Sequence, residues 1–258
     1  MAKPEIGVSM LYCLSEQFKK MVRKIPKTET TRIEIVDDGF HELNKQRVAM
    51  LREIGESYGL KYSVHAPFAD INIAAQSKLL SNATLKRLRQ SIVNANLLNC
   101  HIWVFHPGMK TGISMFYPGM DWARNLESVR LLLKFADNYG VEVAIENVIS
   151  IFLMKNVEDF KKFYSEINEN IGLVLDTGHA NINGQVEDFL TEFSNKIVHV
   201  HAHDNLGEVD QHLGIGYGNI NWENVARLLK RANYDRTIVV ESVEHVEESV
   251  QKLKQFFT

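Results

Sequence analysis

The sequence predicts a closed barrel of eight parallel strands surrounded by helices, a single (β/α)8 or TIM barrel over residues 1–258. Short runs of β-branched and apolar residues alternate with longer segments in which apolar residues recur at helical spacing. The runs number eight, as closure of this barrel requires. They are residues 5–11, 31–37, 61–66, 101–106, 141–147, 172–176, 197–203 and 237–242.

The segments between the runs have the apolar face and the end signals of amphipathic helices. Residues 121–140 begin with Asp121, which can cap a helix, and end at Gly140, which suits a helix stop. Residues 44–59 and 225–234 have the same apolar pattern. Strands joined by helices predict a parallel sheet with helices packed on its face.

An open, doubly wound sheet is the structural alternative. Sheets of that type that bind dinucleotides carry GxGxxG after the first strand. Residues 8–18 instead read VSMLYCLSEQF, so the alternative lacks its usual cofactor signal. The longest connections are predicted at residues 68–85 and 108–121, where they would overhang the strand ends.

Composition limits the class of protein. The 29 Lys and Arg against 32 Asp and Glu give a net charge of -3, so no overall basic field would attract nucleic acid. Two cysteines, Cys13 and Cys100, are too few for a disulfide framework and suit a reducing compartment. No apolar run approaches the roughly 18 residues of a membrane span. We therefore expect a cytoplasmic protein with no membrane partner; the sequence indicates no oligomeric state.

Acidic and imidazole side chains occupy the predicted strand ends, where barrels of this type have their active sites. The carboxylates of Glu146, Asp176 and Glu241 would converge there. Each pair would repel by roughly 4 kcal/mol at about 4 Å and an effective dielectric near 20. Imidazole with carboxylate is a ligand mixture that zinc, manganese and iron favour. We therefore predict a metal cluster, with the potential ligands His65, His106, Glu146, Asp176, His179, His201, Asp210, His212 and Glu241.

An ordered set of motifs resembles the xylose isomerase-like barrel superfamily along nearly the whole chain. The superfamily contains sugar-phosphate isomerases and epimerases and the endonuclease IV-type apurinic/apyrimidinic endonucleases. The motifs are HAPFADINIA, HPG, ENV, LDTGHAN, HVHAHDN, DQHLGIGYGNI and VVES. By position, the resemblance implies a mononuclear epimerase-type site of Glu146, Asp176, His201 and Glu241, to which a trinuclear zinc site would add His65, His106, His179, Asp210 and His212. One to three zinc, manganese or magnesium ions are therefore expected.

The favoured hypothesis is an isomerase or epimerase of a small sugar or sugar phosphate. Glu146 and Glu241 would exchange a proton with the substrate through a metal-stabilised enediolate. His179 would bind a substrate hydroxyl or phosphate, and Lys110 is a candidate for a substrate phosphate. Against a ketohexose, Gly207 stands where the epimerase branch often has an arginine.

The alternative hypothesis is a zinc-dependent endonuclease IV-like phosphodiesterase, and only this hypothesis has DNA as a partner. All nine potential ligands favour it. Against it, Phe68 replaces a usual tyrosine, DTGH replaces DTCH, and the segment after His201 lacks a lysine. A third hypothesis, a barrel that binds metal or sugar without turnover, is disfavoured by the intact pair Glu146 and Glu241. His199 and His203 are predicted to support the site rather than to bind metal directly.

Overall fold

The computed structural model describes residues 3–258, so the first two residues of the predicted span lie outside it. Eight parallel strands close into a barrel in chain order, with β1 beside β8. This confirms the predicted fold class. The strands are β1 (Glu5–Ser9), β2 (Arg32–Val36), β3 (Lys61–His65), β4 (Ile102–Phe105), β5 (Val143–Glu146), β6 (Gly172–Asp176), β7 (Ile197–Ala202) and β8 (Thr237–Val240).

Each predicted run contains a strand, but only the run at residues 172–176 has the observed bounds. The other seven strands are one or two residues shorter at one or both ends. After β1 the chain turns into a short 3-10 helix, Met10–Cys13, and the Ser9 side chain accepts a hydrogen bond from the Leu11 amide. Apolar character continues beyond this strand because the turn is itself buried, which is why composition overestimated the strand's length.

Helices cover the outside of the barrel. Within residues 3–258 the α-helices are α1 (Phe18–Lys24), α2 (Lys45–Tyr58), α3 (Lys78–Leu97), α4 (Met120–Asp137), α5 (Val157–Glu166), α6 (Thr177–Ile182), α7 (Val186–Glu192), α8 (Trp222–Arg231) and α9 (Val246–Phe256). Helix α2 matches the predicted segment: Asn44 accepts a hydrogen bond from the Arg47 amide, and Gly59 ends the helix in the left-handed conformation.

Predicted helix boundaries also differed, and the helix expected at residues 225–234 is α8, Trp222–Arg231. The connection expected at residues 68–85 ends at Ser77, because α3 begins at Lys78. Leu79 and Leu80 in its first turn are 79% and 60% exposed, so the apolar face becomes regular only further along the helix. Helix α4 begins at Met120 rather than at Asp121, which is a buried first-turn residue and not the cap.

Side chains alternate between the barrel interior and the layer under the helices. On β4, Trp103 and Phe105 belong to the large apolar core. Ile102 and Val104 belong to a separate small cluster with Ala144 and Val174. Elsewhere the interior carries buried polar groups, among them Glu34, Ser63, His199 and His201. The barrel is thus built around polar side chains, which require hydrogen bonds or ions to compensate their burial.

Candidate metal centre

The carboxyl ends of the strands bring the predicted donors to one rim of the barrel. His65 ends β3, Glu146 ends β5 and Asp176 ends β6, while His106 and Glu241 directly follow β4 and β8. These five side chains are buried or half-buried. Because all strands run in the same direction, residues far apart in sequence meet at this rim.

The first group of donors is Glu146, Asp176, His201 and Glu241. Each offers one ligand atom within 4.8 Å of the other three, and all four side chains are buried. Nδ1 of His201 lies 3.3 Å from Oε1 of Glu146, 3.4 Å from Oε2 of Glu241 and 4.0 Å from Oδ2 of Asp176. Two ligand atoms on one tetrahedral ion, each about 2.1 Å from it, stand about 3.4 Å apart. The spacing therefore fits an ion better than it fits direct hydrogen bonds.

A second group shares Glu146. Nε2 of His65 and Nε2 of His106 both lie 3.3 Å from Oε2 of this carboxylate. Oε2 is buried and has no hydrogen-bond partner among the described residues, and neither does Nδ1 of His201. Unpaired buried atoms of this kind are costly, and a shared cation would satisfy them.

A third group forms beside it from His179, Asp210 and His212, with His203 within reach. Oδ2 of Asp210 lies 3.2 Å from Nε2 of His179 and 3.1 Å from Nε2 of His212. The loop after β7 supplies two of these donors through an antiparallel bridge between Asp204 and Leu213. Both of the predicted loop donors thus face the rim.

Asp204 fixes the base of that loop. Its buried carboxylate accepts hydrogen bonds from the indole of Trp222 at 2.8 Å and from the Gly216 amide at 2.9 Å. The amide of Ile215 donates to Ser249. The glycine-rich stretch therefore uses these amides internally and serves as a turn that presents Asp210 and His212.

Three histidines are oriented by backbone carbonyls. Nδ1 of His65 is 2.8 Å from the Ala66 carbonyl, Nδ1 of His179 is 2.9 Å from that of Asn147, and Nδ1 of His212 is 2.8 Å from that of Glu241. If Nδ1 carries the proton, Nε2 presents its lone pair to the site. This arrangement is usual for metal-binding histidines.

Asp176 is held on all sides. Its backbone N–H donates to the Asn147 side-chain amide oxygen at 2.8 Å, and the Asn147 amide nitrogen donates back to the Asp176 carbonyl at 3.0 Å. Its carboxylate caps α6 by accepting from the His179 amide at 2.6 Å. Nε2 of His203 approaches both carboxylate oxygens, at 3.0 and 3.1 Å. His203 therefore helps to hold the carboxylate of Asp176 in place, and its supporting rather than metal-binding role stays a prediction.

The two glutamates of the first group have opposite pKa shifts in the metal-free protein. Burial raises the pKa of Glu146, but its interactions with His201 and His106 outweigh burial and hold this pKa well below its usual value. Burial also raises the pKa of Glu241, and the combined effect of His201, Glu146 and the other charges leaves it above its usual value. Groups with diverging pKa values at one site suit the roles of base and acid.

Sequence patterns overlooked one buried carboxylate below the site. Glu34 on β2 lies 3.1 Å from Nε2 of His201 and 3.0 Å from Nε2 of His199. The signal was present, because RIEIV places an acid at an interior position of an apolar strand. Lys110, the predicted phosphate-binding residue, is exposed on the loop after β4, and its amide pairs with the Ile151 carbonyl. That Lys110 binds a substrate phosphate stays a prediction.

No helix within residues 3–258 is both long and apolar enough to cross a bilayer. An uncharacterized protein from Methanocaldococcus jannaschii, MJ1311, is 31% identical over 98% of this chain and 89% of its own length. A D-psicose 3-epimerase from Ruminiclostridium cellulolyticum is 23% identical over 87% of this chain and 78% of its own.

A solved structure described as a D-tagatose 3-epimerase-like protein superposes with a TM-score of 0.92 at 31% identity, covering 98% of this chain and 96% of that one. The family model described as xylose isomerase-like TIM barrel matches residues 27–257. The match covers most of the barrel, including all nine donors at its rim. The chain belongs to the xylose isomerase-like TIM barrel family.

Proposed function

We propose that this protein is a divalent-metal-dependent epimerase or isomerase of a small, uncharged sugar. The observation that carries the proposal is the spacing of Glu146, His201 and Glu241, whose facing atoms stand 3.3 and 3.4 Å apart as ligands of one ion do. The names of the D-tagatose 3-epimerase-like structure and of the D-psicose 3-epimerase support a reaction at a sugar carbon. Zinc, manganese or magnesium would suit these donors.

Glu146 and Glu241 are the proposed acid and base. Their ligand atoms lie within 4.8 Å of each other, so both reach one substrate at the barrel mouth. The low pKa of Glu146 keeps this carboxylate ionised, as a base must be, and the raised pKa of Glu241 suits return of a proton on the other face. A bound divalent ion would supply Lewis-acid stabilisation of the negative charge that develops on the substrate oxygens.

His179 is the proposed ligand of a substrate hydroxyl in the mononuclear version of the site. Its ring is buried beside Glu146, with Nδ1 3.4 Å from Oε1 of that carboxylate. Phe68 and Phe152 lie near His106, with ring centroids 5.7 and 5.5 Å away. An apolar wall next to carboxylates suits a sugar, which presents C–H groups on one face and hydroxyls at its edge.

The charge of the rim favours an uncharged substrate. The segments that follow the eight strands contain two lysines, Lys110 and Lys155, and no arginine. Lys155 donates to the Ser150 carbonyl. The same segments carry many carboxylates outside the donor groups, such as Asp38, Asp70 and Glu208. A polyanion would be repelled here, because nucleic-acid binding needs several phosphates to be neutralised.

A second candidate is a zinc-dependent phosphodiesterase, and a specific observation favours it. Glu146 presents one oxygen to His201 and the other to His65 and His106, which is what a carboxylate bridging two ions would do. With the group around Asp210, the rim offers three adjoining sets of donors. Two or three ions so placed could activate water and stabilise a leaving oxygen. The charge of the rim weighs against duplex DNA as the substrate.

The deciding experiment uses protein purified without added metal and then loaded with zinc, manganese or magnesium. Free ketoses in deuterated water should acquire deuterium next to the carbonyl, as followed by proton NMR, and a duplex with an abasic site should stay intact. Glu146→Gln and Glu241→Gln should abolish exchange. Glu142→Gln is the matched control, since Glu142 is exposed before β5 and pairs with Arg236.

Nicking of the duplex together with close to three bound zinc ions per chain would favour the phosphodiesterase over the epimerase as the function. Binding of metal and sugar with no exchange and no nicking would indicate a barrel that binds without turnover. Equal exchange by wild type and Glu146→Gln would remove Glu146 from the proposed chemistry.

A further inference from the structure

We propose that Glu34 is a positioning residue that sets which nitrogen of His201 binds metal. The inference rests on the metal site of the proposed function. Glu34 is on β2, its carboxylate is fully buried inside the barrel, and it is not one of the nine predicted donors.

His201 is oriented differently from its neighbours. His65 and His212 direct Nδ1 to backbone carbonyls and Nε2 to the site. His201 directs Nδ1 to Glu146 and Glu241, and Nε2 to Oε1 of Glu34 at 3.1 Å. Nε2 of His201 and Oε1 of Glu34 are both buried and make no hydrogen bond among the described residues, so their 3.1 Å approach, within ion-pair distance, is the polar contact that each has. Each atom is therefore the partner that the other needs.

Glu34 is itself held in place through its second oxygen. Oε2 accepts a hydrogen bond from Ser63 at 3.0 Å, and Nε2 of His199 lies 3.0 Å away. Ser63 is opposite Glu34 in the pairing of β2 with β3. The carboxylate thus cannot rotate away from His201 without losing both contacts. A carboxylate that accepts the far N–H of a ligating imidazole fixes its tautomer and its direction.

A purely structural role explains this arrangement less well. A buried carboxylate costs several kcal/mol of desolvation, and an apolar group of the same size would be at least as stabilising. The negative charge of Glu34 has a use if His201 binds a cation, because it strengthens the donation of the imidazole lone pair to that cation. The geometry therefore points to support of metal binding.

The test measures metal affinity rather than turnover. Glu34→Gln keeps the shape, but its NH2 group can face Nε2 of His201 and favour the wrong tautomer. Competition with a chelator should show a fall of about 10- to 100-fold in the affinity of the tightest zinc or manganese site. Asp37→Asn is the matched control: it neutralises a buried carboxylate just after β2 that pairs with Arg87. Its metal affinity should stay within about twofold of wild type.

A measurement on the wild-type protein keeps the inference testable if Glu34→Gln does not fold. With 15N-labelled histidine and bound 113Cd, one Nδ1-type nitrogen should couple to the metal, and this signal should be absent from His201→Ala. Coupling of cadmium to Nε2 of His201 would overturn the proposal, as would wild-type affinity in a folded Glu34→Gln. If wild type binds metal but exchanges no deuterium, the proposed function fails while the role of Glu34 stands.

Discussion

A methyl group at position 178 would occupy space that the ring of His203 fills. A Cβ built on Gly178 lies 2.0 Å from Cε1 and 2.4 Å from Nδ1 of this buried ring, whereas ordinary contacts begin near 3.4 Å. The ring cannot retreat freely, because it stacks on His212 with centroids 3.9 Å apart and contacts Asp176 at 3.0 Å. The glycine of DTGH thus leaves the space that the His203 ring fills. This is a physical reason for glycine at a position where the endonuclease branch usually has the cysteine of DTCH.

Gly178→Ala should reduce the free energy of unfolding of the metal-free protein by about 2.5 to 6 kcal/mol, the sum of two contributions. Overpacking contributes about 1–3 kcal/mol. Loss of the hydrogen bond from His203 to a charged carboxylate contributes about 1.5–3 kcal/mol. Urea unfolding in the presence of a chelator, followed by tryptophan fluorescence, measures this change. Gly112→Ala is the control, since nothing lies within 4 Å of a Cβ there, and it should change stability by less than about 1 kcal/mol.

The double variant Gly178→Ala/His203→Ala decides whether the clash is the cause. Without the ring the added methyl has room, so the double variant should be more stable than the sum of the single effects predicts, by about 2 kcal/mol or more. Additive effects, or a cost below about 1 kcal/mol for Gly178→Ala alone, would refute the coupling.

Three further outcomes are expected. The pKa values of His65 and His212 are raised to about 9, because nearby carboxylates outweigh burial, so both rings carry protons at pH 7 that metal must displace. The apparent zinc affinity of the donor groups that include His65 and His212 should therefore rise about tenfold per pH unit for each proton released, and should level off above about pH 9. A zinc affinity that calorimetry finds constant from pH 6.5 to 9 would contradict this. Metal at 100 times its dissociation constant should stabilise the fold by about 2.7 kcal/mol, seen as a higher Tm that a chelator reverses; an unchanged Tm would argue against a native site. Lys110→Ala should change KM for an uncharged sugar by less than about threefold, and a rise above about tenfold in KM for a phosphorylated sugar would indicate a phosphorylated substrate instead.

The strand runs could be found from sequence because each is a local pattern, and all eight are present in the structure. Their ends were less certain, since the chain stays apolar where it turns, as after Ser9. The start of α3 was missed because Leu79 and Leu80 face solvent and break the expected periodicity. Boundaries depend on hydrogen bonds and burial that composition does not contain.

The sequence by itself was enough to place the predicted donors at one rim. In a parallel barrel every strand ends at the same rim, so the order of strands and the residues that end them suffice to bring His65, Glu146 and Asp176 together. Only the tertiary structure decided how the donors are shared and which ring nitrogen faces the site. Those features depend on contacts across the barrel, such as Glu34 with His199, which are 165 residues apart, and on the space that Gly178 leaves for His203. No local pattern encodes such contacts, because they exist only once the barrel has closed.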